Sequence, residues 1–177
     1  GPRPGPEEDR TALSAAYEIA AGMSAGSLPP FLGIRTKSLS EETKRRAVRT
    51  LDLFVSALVD HGGGRLPPGF VVTLPKVQLV EEVDVFVDLL EALEHRNGLA
   101  AGSLRLELMI ETPHVIVAGD GSCPLPALVR AGRGRVRGVH FGAYDYTASL
   151  GIAAPDQHLA HAACDHARTT MKTALAG

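Results

Sequence analysis

The chain contains no tryptophan, only two cysteines, and aromatic residues at 5% of its 177 positions. Cys123 and Cys164 alone cannot make a disulfide scaffold, and such cysteine use suits a cytoplasmic protein. No stretch approaches the roughly 18 consecutive apolar residues of a membrane span, and no signal-peptide pattern is present. Neither sign of charge dominates: 18 basic residues face 20 acidic ones, for a formal net charge of −2. A general nucleic-acid binder carries a basic footprint, so neither nucleic acid nor membrane is expected as a partner. Phosphate-loop chemistry is missing too, and the spacing of Gly132, Gly134 and Gly138 does not match a dinucleotide fingerprint. What remains is a Leu-rich, Ala-rich and β-branched composition, long enough for one domain with a substantial core.

The organising stretch is Arg105 to Tyr146. Two apolar runs of strand character, Leu106 to Pro113 and Val139 to Tyr146, reach a carboxylate at Glu111 and at Asp145. The same grammar upstream gives Phe31 to Arg35 and Phe70 to Lys76, which end in cations. Arg35, Lys76, Glu111 and Asp145 therefore read as strand-end residues, separated in turn by 41, 35 and 34 residues. Each interval fits one strand, one returning helix and two loops. Parallel strands joined by helices point the same way and bring their C-terminal ends to one face, where the sites of α/β folds lie.

The intervening segments carry helical signals. Glu7 to Ala25 repeats Leu13, Ala16, Ile19 and Ala20 on one face, with acids at its start. Ser40 stands as an N-cap before a helix whose Leu51, Phe54, Val55 and Leu58 fall on one face, and Gly62 to Gly64 ends it. A second such helix is expected from Leu79 to Arg96, with Val83, Phe86, Leu90 and Leu93 inward and Asn97-Gly98 as its stop. Short helical pieces follow at His114 to Ala118, with Pro113 in the first turn, and at Pro126 to Ala131. The basic, Gly-rich run Arg130 to Arg137 reads as an exposed loop, and Asp156 to Leu175 as a closing helix.

These units predict an α/β fold of (β/α) TIM-barrel type. A closed eight-fold barrel takes about 250 residues, so four units over residues 1–177 are expected to be a single partial barrel. The opening Gly-Pro-Arg-Pro-Gly-Pro reads as the loop after an earlier strand, with further units beyond Gly177. Exposed barrel edges make homo-oligomers an expected form.

Carboxylates without thiolates suit a hard cation, Mg²⁺ or Mn²⁺, which keeps positions open for water or a bidentate oxo acid. A metal of this kind can polarise a carbonyl and hold an enolate, and an arginine on the same face can bind a carboxylate through its planar fork. Glu111 and Asp145 could equally cap the elements that follow them. Four motifs in order, Gly33 to Lys37, Leu74 to Val77, Met109 to Thr112 and Phe141 to Gly151, resemble the HpcH/HpaI aldolase and citrate lyase β-subunit family, over Phe31 to Gly151. The resemblance implies a phosphoenolpyruvate/pyruvate-type TIM barrel with Glu111 and Asp145 as metal ligands. It also implies Arg35 as the catalytic and substrate-binding arginine, and the backbone at Gly142 and Ala143 as part of the substrate site. Lys76 is assigned to positioning the acids and binding substrate, in preference to a Schiff-base role.

Some features depart from the family. Gln78 stands where lyase members often carry a glutamate, and the segment between Glu111 and Asp145 is long. The family's proton-transfer groups would lie before Gly1. His158, His161, Cys164 and His166 could suggest zinc, but one helix seldom supplies a whole site, and a solvated helix is the expected reading. His140 is expected to be packed and hydrogen-bonded, and Tyr144 and Tyr146, by strand alternation, to point the same way and wall the pocket. The expected function is a Mg²⁺-dependent carbon–carbon lyase acting on a small oxo acid or acyl-CoA thioester. The alternative is a non-catalytic barrel module for assembly or small-anion binding.

Overall fold

The computed structural model describes residues 5–176. The fold is α/β, with four parallel strands alternating with helices. In chain order the elements are α1 (Gly5–Ala25), β1 (Leu32–Arg35), α2 (Lys44–His61), β2 (Phe70–Leu74), α3 (Val80–Arg96), β3 (Arg105–Ile110), α4 (Pro113–Ile116), α5 (Leu125–Ala131), β4 (Val136–Phe141), α6 (Ala143–Ser149) and α7 (Ala162–Ala174). The described residues pack as two compact units: those up to 73 with 86–105, and 74–85 with those from 106 onward. No helix among the described residues is long and apolar enough to cross a membrane.

In the first unit β1 and β2 pair in parallel, Leu32 opposite Phe70 and Arg35 opposite Thr73. Phe70 and Val72 are buried to a few per cent or less. By alternation Gly33 and Arg35 share the opposite face with Val71 and Thr73. Gly33 is needed for space, since a Cβ there would lie 2.2 Å from the Val71 carbonyl oxygen. Leu51, Phe54, Val55 and Leu58 of α2 are buried as the periodicity predicts, and Phe54 stacks on Phe70 with ring centroids 5.9 Å apart. The packed stripe of α1 is Ala12, Ala16 and Ala20, an i, i+4, i+8 row of small side chains that admits a close neighbour. Leu13 and Ile19 are only half-buried. Salt bridges and a hydrogen bond tie α1 to α2: Asp9 accepts from Arg46 and Arg49, each at 2.7 Å, and Glu8 accepts from the Thr50 hydroxyl at 2.9 Å.

In the second unit β3 and β4 pair in parallel, with a register irregularity between Leu106 and Glu107. Leu106, Leu108 and Ile110 are fully buried, while the alternate residues are only half-buried. Arg133 and Gly134 turn the chain toward β4 in the expected exposed loop, but Arg135 is buried.

Several boundaries differ from those expected. Ser40 does not cap α2: its carbonyl accepts from the amides of Thr43 and Lys44, making a separate turn, and the helix begins at Lys44. The Thr43 hydroxyl, which could have capped it, donates to the Ser38 carbonyl at 2.7 Å. The closing helix starts at Ala162 because His161 caps it, the ring Nδ1 accepting from the Ala163 amide at 3.1 Å; residues 154–156 form a separate 3₁₀ turn. At the start, Gly5 and Pro6 lie within α1 rather than in a loop, and the rest of the expected opening loop, together with Gly177, lies outside the described residues.

Glu94, in α3, is 2% exposed. Its carboxylate accepts from the amides of Leu104 at 2.7 Å and Gly102 at 2.9 Å, and so fixes the turn that leads into β3. Glu94→Ala leaves both amides without that acceptor and is expected to cost about 2–5 kcal/mol in urea unfolding. Glu94→Gln, which keeps an acceptor oxygen, should cost less. Equal losses in the two variants would show that the turn does not depend on these bonds.

Candidate active site

Glu111 follows directly on β3. Alternation places it on the side of Glu107 and Met109, away from Ile110. It is 4% exposed, and its Oε1 accepts the backbone N–H of Lys76 at 2.8 Å. The Asp145 carboxyl acts on it as well. Burial pushes the pKa of Glu111 above its ordinary 4.5. That second carboxyl pushes the same way, and the Lys76 amide and ammonium offset the two only in part.

Asp145 is not a strand-end residue. β4 stops at Phe141, and Asp145 sits in the first turn of α6. Its Oδ2 lies 2.6 Å from the Lys76 Nζ, with both side chains about half exposed. The helix also overturns the expectation for its tyrosines: Tyr144 is 71% exposed whereas Tyr146 is buried, its ring set edgewise against Phe141 at 5.0 Å.

Gly142 joins β4 to α6 and donates its N–H to the Ile110 carbonyl at 2.8 Å. A Cβ at this position would lie 2.7 Å from Glu111 Oε2 and 2.8 Å from Glu111 Cβ. The missing side chain is therefore what lets α6, and Asp145 with it, approach Glu111. Ala143 is buried at the start of the helix.

Lys76 lies two residues beyond β2 and holds a left-handed backbone, φ +56°. It addresses the acidic pair twice, through its amide to Glu111 and its ammonium to Asp145. Sequence reasoning assigned the charge of this residue but not its amide, because a main-chain donor leaves no mark in a side-chain pattern. The exclusive fit of Gly142 was likewise missed, although its place just after a strand was a signal for close backbone approach.

Arg35 belongs to the first unit as the last residue of β1. The strand end is fastened at the next residue: Thr36, 4% exposed, donates its amide to the Thr73 carbonyl at 3.1 Å and its hydroxyl to the same oxygen at 3.4 Å. Lys37 is held by Glu8 at 2.7 Å.

The remaining candidates are placed elsewhere. His140 Nδ1 stands 3.7 Å from Glu107 Oε2, and its Nε2 is buried without a hydrogen-bond partner, so the expected hydrogen-bonded packing holds for one nitrogen at most. His158 and His161 precede α7 rather than sharing a helical face; their ring centroids are 6.1 Å apart. Cys164 donates to the His158 carbonyl at 3.6 Å.

Among the described residues no three His, Cys, Asp or Glu side chains cluster as a metal site. The pair Glu111 and Asp145 can offer an all-oxygen donor set with positions left for water or substrate oxygens, which suits Mg²⁺ or Mn²⁺. Asp145 raises the proton affinity of the buried Glu111, so the pair also favours a proton or a cation beside it. The residues present therefore fit such an ion.

Comparison with known proteins bears on the fold. A citrate lyase from Burkholderia xenovorans LB400 superposes with a TM-score of 0.65 at 19% identity, over 92% of this chain and 47% of that one. Malate synthase from Haloferax volcanii in a lead(II) complex gives 0.66 at 20% identity, over 95% and 45%. The same enzyme in a magnesium/glyoxylate complex gives 0.63 at 19%, over 95% and 47%. At these identities the likeness is one of fold, and the chain spans less than half the length of each of these three structures. A search of curated protein sequences gave no significant match. One family profile, described as a domain of unknown function, matches residues 1–177, and the chain therefore belongs to that family, DUF6986.

Proposed function

We propose that this chain carries the metal-binding part of a Mg²⁺-dependent carbon–carbon lyase of the aldolase or citrate lyase type, acting on a small oxo acid or an acyl thioester. The observation that carries this reading is a buried glutamate and a second carboxylate bridged by one lysine, its amide on the first and its ammonium on the second. When bound, a divalent cation supplies Lewis-acid polarisation of the substrate carbonyl and offsets the negative charge of an enolate oxygen. Glu111, fixed by burial and by the Lys76 amide, is the rigid ligand, and Asp145, half exposed on α6, is the adjustable one.

The resemblance to HpcH/HpaI aldolases gives Arg35 the substrate carboxylate and the enolate charge, and its guanidinium has the planar fork for that task. Gly142 has already given its amide to Ile110, so the backbone contribution to substrate binding falls to Ala143. The magnesium and glyoxylate of the Haloferax volcanii complex belong to the chemical class of ligand proposed here, a hard cation with a small oxo acid.

Isothermal titration with Mn²⁺ or Mg²⁺ in the presence of oxalate or pyruvate tests the assignment. Glu111→Ala and Asp145→Ala should each weaken metal-dependent binding by at least about tenfold, the scale of one lost charged contact. Binding unchanged in both variants would reject the pair as ligands.

A second test uses pH. A carboxyl whose folded pKa is raised binds its proton more tightly in the native state, so it destabilises the fold above that pKa and ceases to do so as pH falls. In chelator-treated protein, Glu111→Gln should therefore melt above wild type near neutral pH. That advantage should shrink as pH falls from the raised value of Glu111 toward the ordinary 4.5. Asp145→Asn, which removes the like charge, should narrow the same window. A difference between Glu111→Gln and wild type that does not vary with pH would contradict the burial argument.

A further inference from the structure

We propose that Lys76 is a built-in competitor for the cation site, its ammonium and a divalent metal ion being alternative partners of Asp145, so that this residue sets how tightly the metal is held. The proposal rests on the metal-binding reading given above and adds a control element to it.

Three observations support it. The Lys76 Nζ stands 2.6 Å from Asp145 Oδ2, at hydrogen-bond contact with an oxygen the metal would use. Two cations cannot both hold that oxygen at contact distance without strong mutual repulsion. The ammonium is also free to leave, because the Lys76 and Asp145 side chains are 47% and 49% exposed and the departing charge can be taken up by water. Finally, the main chain of Lys76 does not have to follow its side chain. Its amide stays on Glu111 Oε1 at 2.8 Å, so the buried ligand keeps its position while the lysine swings.

The two acids thereby divide the work. Glu111 is held by a neutral donor that does not compete with a cation, whereas Asp145 is held by a charged one that does. Substituting the side chain removes the competitor but spares the amide. Glycine is the most informative replacement, since φ +56° is comfortable for glycine and the fold is not put at risk.

Mn²⁺ binding to the full chain, followed by the loss of the free-ion electron paramagnetic resonance signal, gives a readout that needs no turnover. Lys76→Gly and Lys76→Met should both bind Mn²⁺ more tightly than wild type, by about three- to tenfold, the range expected for removing one half-exposed ion pair and its repulsion. Lys76→Arg, which keeps the charge, should stay near wild type. Affinity that is unchanged or weakened in both neutral variants overturns the proposal, while wild-type binding that is lost in Glu111→Ala leaves the metal-site reading standing. Absence of Mn²⁺ binding from wild type and every variant would instead reject the metal-site reading itself.

Discussion

A buried carboxylate just beyond a strand has to be answered by a donor or a cation, and much of the second unit is arranged around that requirement at Glu111. Its neighbour Ile110 is fully buried and it is itself 4% exposed. Water can do little for its charge, so the protein supplies an amide from Lys76. That amide and the Lys76 ammonium together do not offset burial, and a second carboxylate makes the deficit larger. An acid pair that served only as helix capping would be expected near solvent, where water does the compensating. Half of this pair is buried, an arrangement that capping alone does not explain.

The elements around the pair hold it at fixed spacing. Gly142 binds back to the Ile110 carbonyl, so the chain leaving β4 is fastened to the residue immediately before Glu111. The short helix α6 then has its own supports. Thr147, fully buried, donates its hydroxyl to the Ala143 carbonyl at 2.8 Å, and Tyr146 packs edgewise on Phe141. The distance between the two acids is therefore set by a glycine, one strand-like hydrogen bond and a buried aromatic contact. Asp145 keeps its freedom at the side chain rather than in the backbone.

Much of this was legible in the residues. Strand and helix types followed from periodicity, as with Leu51, Phe54, Val55 and Leu58, whose burial matches their spacing. The α1 stripe was only half readable, because Ala12 carries little hydrophobic signal yet packs inside while Leu13 does not. At the site, residue types and order were visible, but the ends of elements were not. The run from Val139 to Tyr146 looks continuous as an apolar and aromatic string, and nothing in it but Gly142 marks the change from strand to helix that moves Asp145 off the sheet. Ser40 was persuasive as a cap until the Thr43 hydroxyl turned out to serve Ser38. Glu94 was hidden for another reason: a carboxylate in a helix reads as solvated, and its use of two main-chain amides appears only once the turn after α3 is folded.

The backbone at Lys76 completes the argument. Only Lys76 and Arg133 among the described non-glycine residues have positive φ. Arg133 precedes Gly134 in an exposed turn and pairs with Asp84 at 2.8 Å, so a surface loop accounts for its geometry. Lys76 sits between Pro75 and Val77, both buried, where glycine would relieve a cost of roughly 1–2 kcal/mol. Stability alone would favour the smaller residue. A lysine held there against that preference is best understood through its two bonds: the left-handed turn aims the amide at Glu111, and the charged end of the same residue reaches Asp145. Strain of this kind persists where surrounding contacts over-determine it, most often at functional sites. Here it lies at a residue whose amide meets one acid and whose ammonium meets the other.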